Sequence, residues 1–166
     1  MSRPSIFFCR EIPPHLYTVV SPTIELDEEN SERDGMRTTE TGILLFAHGS
    51  RVAEANEGVR DLASQVQKAS GFQYVRAAFL EIASPNLATA IHDAVQAGIE
   101  RIIVIPYFLT MGAHLRYDLP KLLAEQKQQY PGLEIYAGKS LEGHPLMPRL
   151  ILDRIQAVCE TCKEEP

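Results

Sequence analysis

Residues 101–109 read RIIVIPYFL, and Ile102, Ile103, Val104 and Ile105 are consecutive β-branched residues. Successive side chains of a strand point to opposite faces, so an unbroken apolar run predicts a strand covered on both sides. Antiparallel sheets commonly leave one face wet and alternate polar with apolar residues, so this run points to a parallel sheet. Working outward, YVRAAFL (74–80), GILLFA (42–47) and LEIYAG (133–138) read as three more short strands. Between them lie segments of helical period. EANEGVRDLASQVQKAS (54–70) carries Val59, Leu62, Ala63 and Val66 at helical spacing, and Gly71 closes it. NLATAIHDAVQA (86–97) is expected to open on Ser84 as N-cap with Pro85 at the first helical position, and to close at Gly98. A third helix is expected from Leu115 to Gln129, stopped by Pro131-Gly132, and a last one from Pro145 to Cys159. Strands alternating with helices predict an α/β fold: an open parallel sheet of four or more strands, helices on both faces, right-handed crossovers.

The chain has 166 residues, enough for one core without disulfide or metal staples. Its formal charge of -6 argues against nucleic-acid binding through a basic face. Residues 1–40 hold eight acids and four bases, four prolines and no useful periodicity, and are expected to form a mobile acidic tail. The folded domain is expected over 41–162, with 163–166 a short C-terminal tail. Met36, just ahead of the first strand, is a candidate native start. No apolar run reaches membrane-spanning length. No secretion-signal pattern opens the chain, and the acidic tail is unlike a transit peptide, so a cytoplasmic location is expected. Cys9, Cys159 and Cys162 do not make a disulfide framework. The Cys159-x-x-Cys162 pair is read as two solvent-facing reduced thiols rather than an iron–sulfur or zinc site.

In open parallel sheets ligands gather beyond the carboxyl ends of the strands. Three chemically useful residues fall there: His48 after the first strand, Glu81 after the second, His114 after the third. Each step between them is 33 residues, about one βαβ unit, so each returns to the same rim. Two imidazoles and a carboxylate with open positions suit a divalent transition metal, and imidazole exchanges protons near neutral pH. Each also has a plain structural reading: His48 bonding its own loop, Glu81 facing a helix N-terminus, His114 capping the third helix.

LLFAHGSR (44–51), AFLEIASPNL (78–87), IPYFLTMGAHLRYDLP (105–120) and EGHPLM (142–147) together resemble the small sirohydrochlorin chelatases of the CbiX and SirB type, over about residues 42–158. The resemblance implies a chelatase-like, flavodoxin-like half domain that pairs as a homodimer. It implies ATP-independent insertion of Co2+, Fe2+ or Ni2+ into sirohydrochlorin on the way to cobalamin or sirohaem. The divalent metal is then a substrate, and no organic cofactor is expected. It assigns His48, Glu81 and His114 as metal ligands and proton acceptors. Thr110 and Met111 depart from the family pattern.

An acidic tetrapyrrole needs donors, for which Arg51 and Arg116 are candidates through paired hydrogen bonds to carboxylate. The Ser50 hydroxyl is a lesser one, and Gly49 and Gly112 would allow close backbone approach. Arg116 could instead pair with Asp118 or Glu125, and His144 is read as a cap for the last helix. The leading alternative function is a non-catalytic metal-binding protein, a metallochaperone. A phosphate-handling enzyme using His48 lacks a glycine-rich cradle, and a serine hydrolase at Ser50 lacks a nucleophile elbow.

Overall fold

The computed structural model describes residues 38–161 apart from Met111, and leaves the side chains of 113–115 undescribed. The tail expected over 1–40 falls largely outside the described residues, as do Cys9, Cys162 and the segment 163–166. The elements run β1 (Thr41–Ala47), α1 (Ala53–Ser70), β2 (Tyr74–Phe79), α2 (Leu87–Gln96), β3 (Arg101–Pro106), α3 (Ala113–Gln129), β4 (Glu134–Ala137) and α4 (Met147–Thr161). All four strands pair in parallel, in the order β2-β1-β3-β4. β1 is therefore interior, and every one of its residues is buried.

Alternation along the strands divides the core. Leu44, Phe46, Ala78, Ile102, Val104 and Ile135 face α2 and α3. Ile43, Leu45, Val75, Ala77 and Phe79 face α1. α1 ends on Gly71 in the left-handed conformation, where glycine carries no side-chain penalty. Glu134 is hydrogen-bonded by the Arg101 guanidinium at 2.6 Å, which tethers β4 to β3 and holds that carboxyl below its ordinary range.

Three details differ from the sequence reading. The cap of α2 is Asn86, whose side chain accepts from the Thr89 N–H at 2.8 Å, and not Ser84. Ser84 and Pro85 belong instead to the loop beyond β2, where the Pro85 carbonyl accepts from the Phe79 N–H at 2.9 Å. β3 ends at Pro106, so Tyr107, Phe108 and Leu109 leave the sheet and become rim. Cover of the sheet is also uneven. On the α1 side, Ile103 and Ile105 of β3 are half-buried and Tyr136 of β4 is exposed. α4, whose position in the chain would let it cover them, has no buried residue.

Candidate functional site

β1 has β2 on one side and β3 on the other, so the three strands carrying the proposed site residues end side by side. The chain moves from β1 one way to β2 and afterwards the other way to β3, so the β1–β3 boundary is the reversal of direction at which such sheets open a crevice. His48 follows β1 directly. Glu81 lies just past β2. His114 is the second residue of α3, the helix after β3, and its side chain is outside the described residues.

His48 and Glu81 meet. Nε2 of the imidazole lies 2.9 Å from Oε1 of the carboxylate, with side chains 59% and 57% exposed. Pairs this open to water contribute about 0–1 kcal/mol, so an arriving cation can part them at little cost. Among the described residues no third His, Cys, Asp or Glu joins them in a metal-sized group.

The pair is set by backbone. The Ala47 carbonyl accepts from the Leu80 N–H at 2.8 Å and the His48 carbonyl from the Glu81 N–H at 3.1 Å. These bonds lace the two loops beyond the strand ends. Gly49, at φ +90, packs so closely that a Cβ there would sit 2.0 Å from the Glu81 carbonyl oxygen. Next to Glu81, Ile82 has φ 68, and the Ala83 N–H donates to the Glu81 carbonyl at 2.7 Å. This three-residue turn is of the rare positive-φ kind. A β-branched residue there stores on the order of 1–3 kcal/mol, borne where Glu81 is presented.

Asn56 was not singled out by its sequence position. It lies in the first turn of α1 and is buried. Its Oδ1 accepts from the Ser50 N–H at 2.9 Å and its Nδ2 donates to the Ser50 carbonyl at 2.8 Å. The loop beyond His48 is thereby fastened to the helix by both polar groups of one residue. The only available signal was the eight-residue spacing from His48 into the helix start. Asn56→Ala is expected to leave both Ser50 groups unpaired and to cost about 1–3 kcal/mol, read as a lower urea midpoint with unchanged slope.

The other candidates are less committed. The Ser50 hydroxyl accepts from the Val52 N–H at 3.1 Å, a local turn bond. Arg51 is exposed, with no ion-pair partner among the described residues. Arg116 reaches Glu142 at 3.4 Å, joining α3 to the EGH loop, instead of Asp118 or Glu125. Gly112 precedes α3 and a Cβ there would meet nothing within 4 Å, so its lack of a side chain answers no crowding. The His144 Nδ1 accepts from the Leu146 N–H at 3.2 Å, a turn bond just ahead of α4 and not a bond to a helical N–H. Cys159 is a half-buried free thiol.

Exposed apolar residues occur in the segments that follow the three strands: Val52 after β1, Ile82 after β2, and Tyr107 and Leu109 after β3. Phe108 anchors its loop edge-on against Phe46, ring centroids 5.9 Å apart. The rim therefore offers an ionisable pair beside apolar side chains, a surface suited to a flat, partly apolar ligand that exchanges protons or a cation.

Known proteins resemble this chain in sequence and fold. The chain is 32% identical over 115 residues to the chloroplastic sirohydrochlorin ferrochelatase of Arabidopsis thaliana, covering 69% of this chain and 51% of the plant protein. It is 33% identical over 125 residues to the sirohydrochlorin cobaltochelatase of Methanococcoides burtonii, covering 70% of this chain and 95% of that one. Among solved structures, a CbiX protein of cobalamin biosynthesis from Marinobacter aquaeolei superposes with a TM-score of 0.66 at 28% identity, covering 75% of this chain and 98% of that one. The sirohydrochlorin chelatase SirB of Bacillus subtilis in complex with cobalt superposes with a TM-score of 0.57 at 28% identity, covering 61% of this chain and 44% of SirB. The chain thus spans about half the length of the plant and Bacillus proteins and nearly all of the other two. The CbiX profile matches residues 42–158, from the second residue of β1 into α4, and the chain belongs to the CbiX family.

Proposed function

We propose that this protein inserts a divalent metal, Co2+, Fe2+ or Ni2+, into sirohydrochlorin without ATP, as a homodimer in the cytoplasm. The observation that carries the reading is the 2.9 Å His48–Glu81 contact at the rim of the central strand, with His114 on the helix after the neighbouring strand. Family membership and the sirohydrochlorin chelatases among its relatives support it.

Insertion exchanges two pyrrole N–H protons for one dication. A neutral imidazole at His48 can hold the ion through Nε2 or take up a proton. Glu81 adds negative charge that favours the cation, and its exposure lets it pass protons to water. His114 completes the shell. Nitrogen and oxygen ligands in an open set release the ion again, as delivery of a substrate metal requires, whereas a closed thiolate cage would keep it. Arg51 and Arg116 bind carboxylates of the tetrapyrrole, Arg116 by giving up Glu142. Ser50 and Gly112 line the same approach, and the apolar rim receives the ring.

Anaerobic incubation of the whole chain with sirohydrochlorin and each metal in turn tests this. Conversion of the free-base absorption spectrum to a metallated one, faster than without protein, is expected. Tight metal retention with an unchanged tetrapyrrole spectrum would instead identify a metallochaperone.

A further inference from the structure

Residues 80–85 carry the chain from the end of β2 to the cap of α2, and neighbours hold this loop along its length. The Leu80 and Glu81 N–H groups donate to the carbonyls of Ala47 and His48. The Ser84 carbonyl accepts from Nη2 of Arg60 at 2.7 Å. That guanidinium is itself fixed, by Glu57 at 2.7 Å and by the Phe79 ring, whose centroid is 5.2 Å away. The Pro85 carbonyl accepts from the Phe79 N–H, and a bridge between Phe79 and Asn86 closes the base. Gly49 packs against both ends of the turn, at the Glu81 carbonyl and the Ala83 nitrogen.

Inside that frame the chain reverses at Ile82, with φ 68. A β-branched residue is among the least suited to positive φ, which glycine takes without penalty. Among the described residues no other non-glycine residue has positive φ. Core packing does not repay the choice, because Ile82 is 57% exposed. Strain of this kind persists only where the surroundings over-determine the backbone. Here the over-determined residue stands directly beside Glu81. Isoleucine held at positive φ has one narrow well, whereas glycine would move among several. The strained residue therefore makes the stiffer turn.

We infer that Ile82 is a positioning residue: by occupying the strained turn it stiffens the backbone of Glu81 and keeps the carboxylate aimed at Nε2 of His48, 2.9 Å away. It acts on the cation through Glu81 alone. The inference deepens the chelatase reading and rests on it for its kinetic part, but its first readout needs no chelatase chemistry.

Variants of the whole chain test it. Ile82→Gly frees the turn, Ile82→Ala keeps a Cβ at the positive φ, and Ile82→Val keeps the β-branch. In metal-free, 15N-labelled protein the Glu81 amide is expected to show an order parameter of about 0.85 in the native chain and in Ile82→Val, and below about 0.6 in Ile82→Gly. Ile82→Gly is expected to unfold at higher urea than Ile82→Ala, the reverse of the usual order of these residues. In the insertion assay Ile82→Gly is expected to lose about tenfold or more in kcat with KM for sirohydrochlorin little changed, and Ile82→Val to keep the native kcat. A rigid Glu81 in Ile82→Gly, or native kcat in that variant, would overturn the positioning role. An Ile82→Ala variant that resists urea better than Ile82→Gly would overturn the strain on which the role depends. A native chain that inserts no metal would overturn the chelatase reading, and with it the kinetic part, while a loosened Glu81 in Ile82→Gly would still support the stiffening.

Discussion

Gly49→Ala is expected to be the most damaging glycine-to-alanine substitution among the described residues. The new carbon would sit 2.0 Å from the Glu81 carbonyl oxygen and 3.2 Å from the Glu81 carbonyl carbon, at φ +90. Neither atom can give way easily, because that backbone is held by the Glu81 N–H bond to His48 and by the turn through Ile82. Overpacking together with the left-handed penalty amounts to roughly 2–5 kcal/mol. Gly71→Ala is the matched control. Gly71 also has positive φ, 72, but open space around it, so only the backbone penalty of about 1–2 kcal/mol applies. Urea unfolding of both variants measures the difference. Gly49→Ala is also expected to lose insertion activity at concentrations of urea well below unfolding, since the displaced backbone is the one that presents Glu81.

His48→Ala is expected to do the reverse: abolish activity and spare the fold. Its side chain is 59% exposed and pairs with Glu81, itself 57% exposed, so the stability cost should stay within about 1 kcal/mol. Loss of a positioned base accounts for about 10²–10⁴-fold in rate, and loss of a ligand adds to it. The insertion rate in His48→Ala is therefore expected to fall at least a hundredfold, with an unfolding midpoint close to that of the native chain. Near-normal insertion in this variant would remove His48 from the mechanism.

Much of the fold was legible because the sheet is simple. The apolar runs at 42–47 and 101–106 read as buried strands, and the 33-residue recurrence led to the expectation of three polar residues on one rim. The order β2-β1-β3-β4 made those strands neighbours, as that reading required. The sequence was less informative where several local signals competed. Ser84-Pro85 looks like a helix start, but Asn86 lies one residue further on and its amide captures the Thr89 N–H. Tyr107, Phe108 and Leu109 continue an apolar run, yet they serve the rim, because Phe108 turns back onto Phe46. Asn56 and Gly49 act through contacts to backbone of residues far along the loop or chain, which no periodicity encodes. The partner of Arg116 was equally hidden: Asp118 and Glu125 are near in sequence but two and nine residues along the helix, on its other face, whereas Glu142 arrives from another loop. The thin helix cover of the β3–β4 face among the described residues could not be foreseen either, since α4 has the amphipathic pattern of a helix that packs on its own sheet.

The proposed mechanism requires that His48, Glu81 and His114 share one cation. Crystals of the protein grown with Co2+, with diffraction recorded on both sides of the cobalt absorption edge, decide whether they do. The predicted result is an anomalous peak about 2.0–2.2 Å from His48 Nε2, in contact with the Glu81 carboxylate and the His114 imidazole, with the 2.9 Å His48–Glu81 contact opened around the ion. A cobalt ion bound elsewhere, or one held by His48 while His114 points away from it, would contradict the claim.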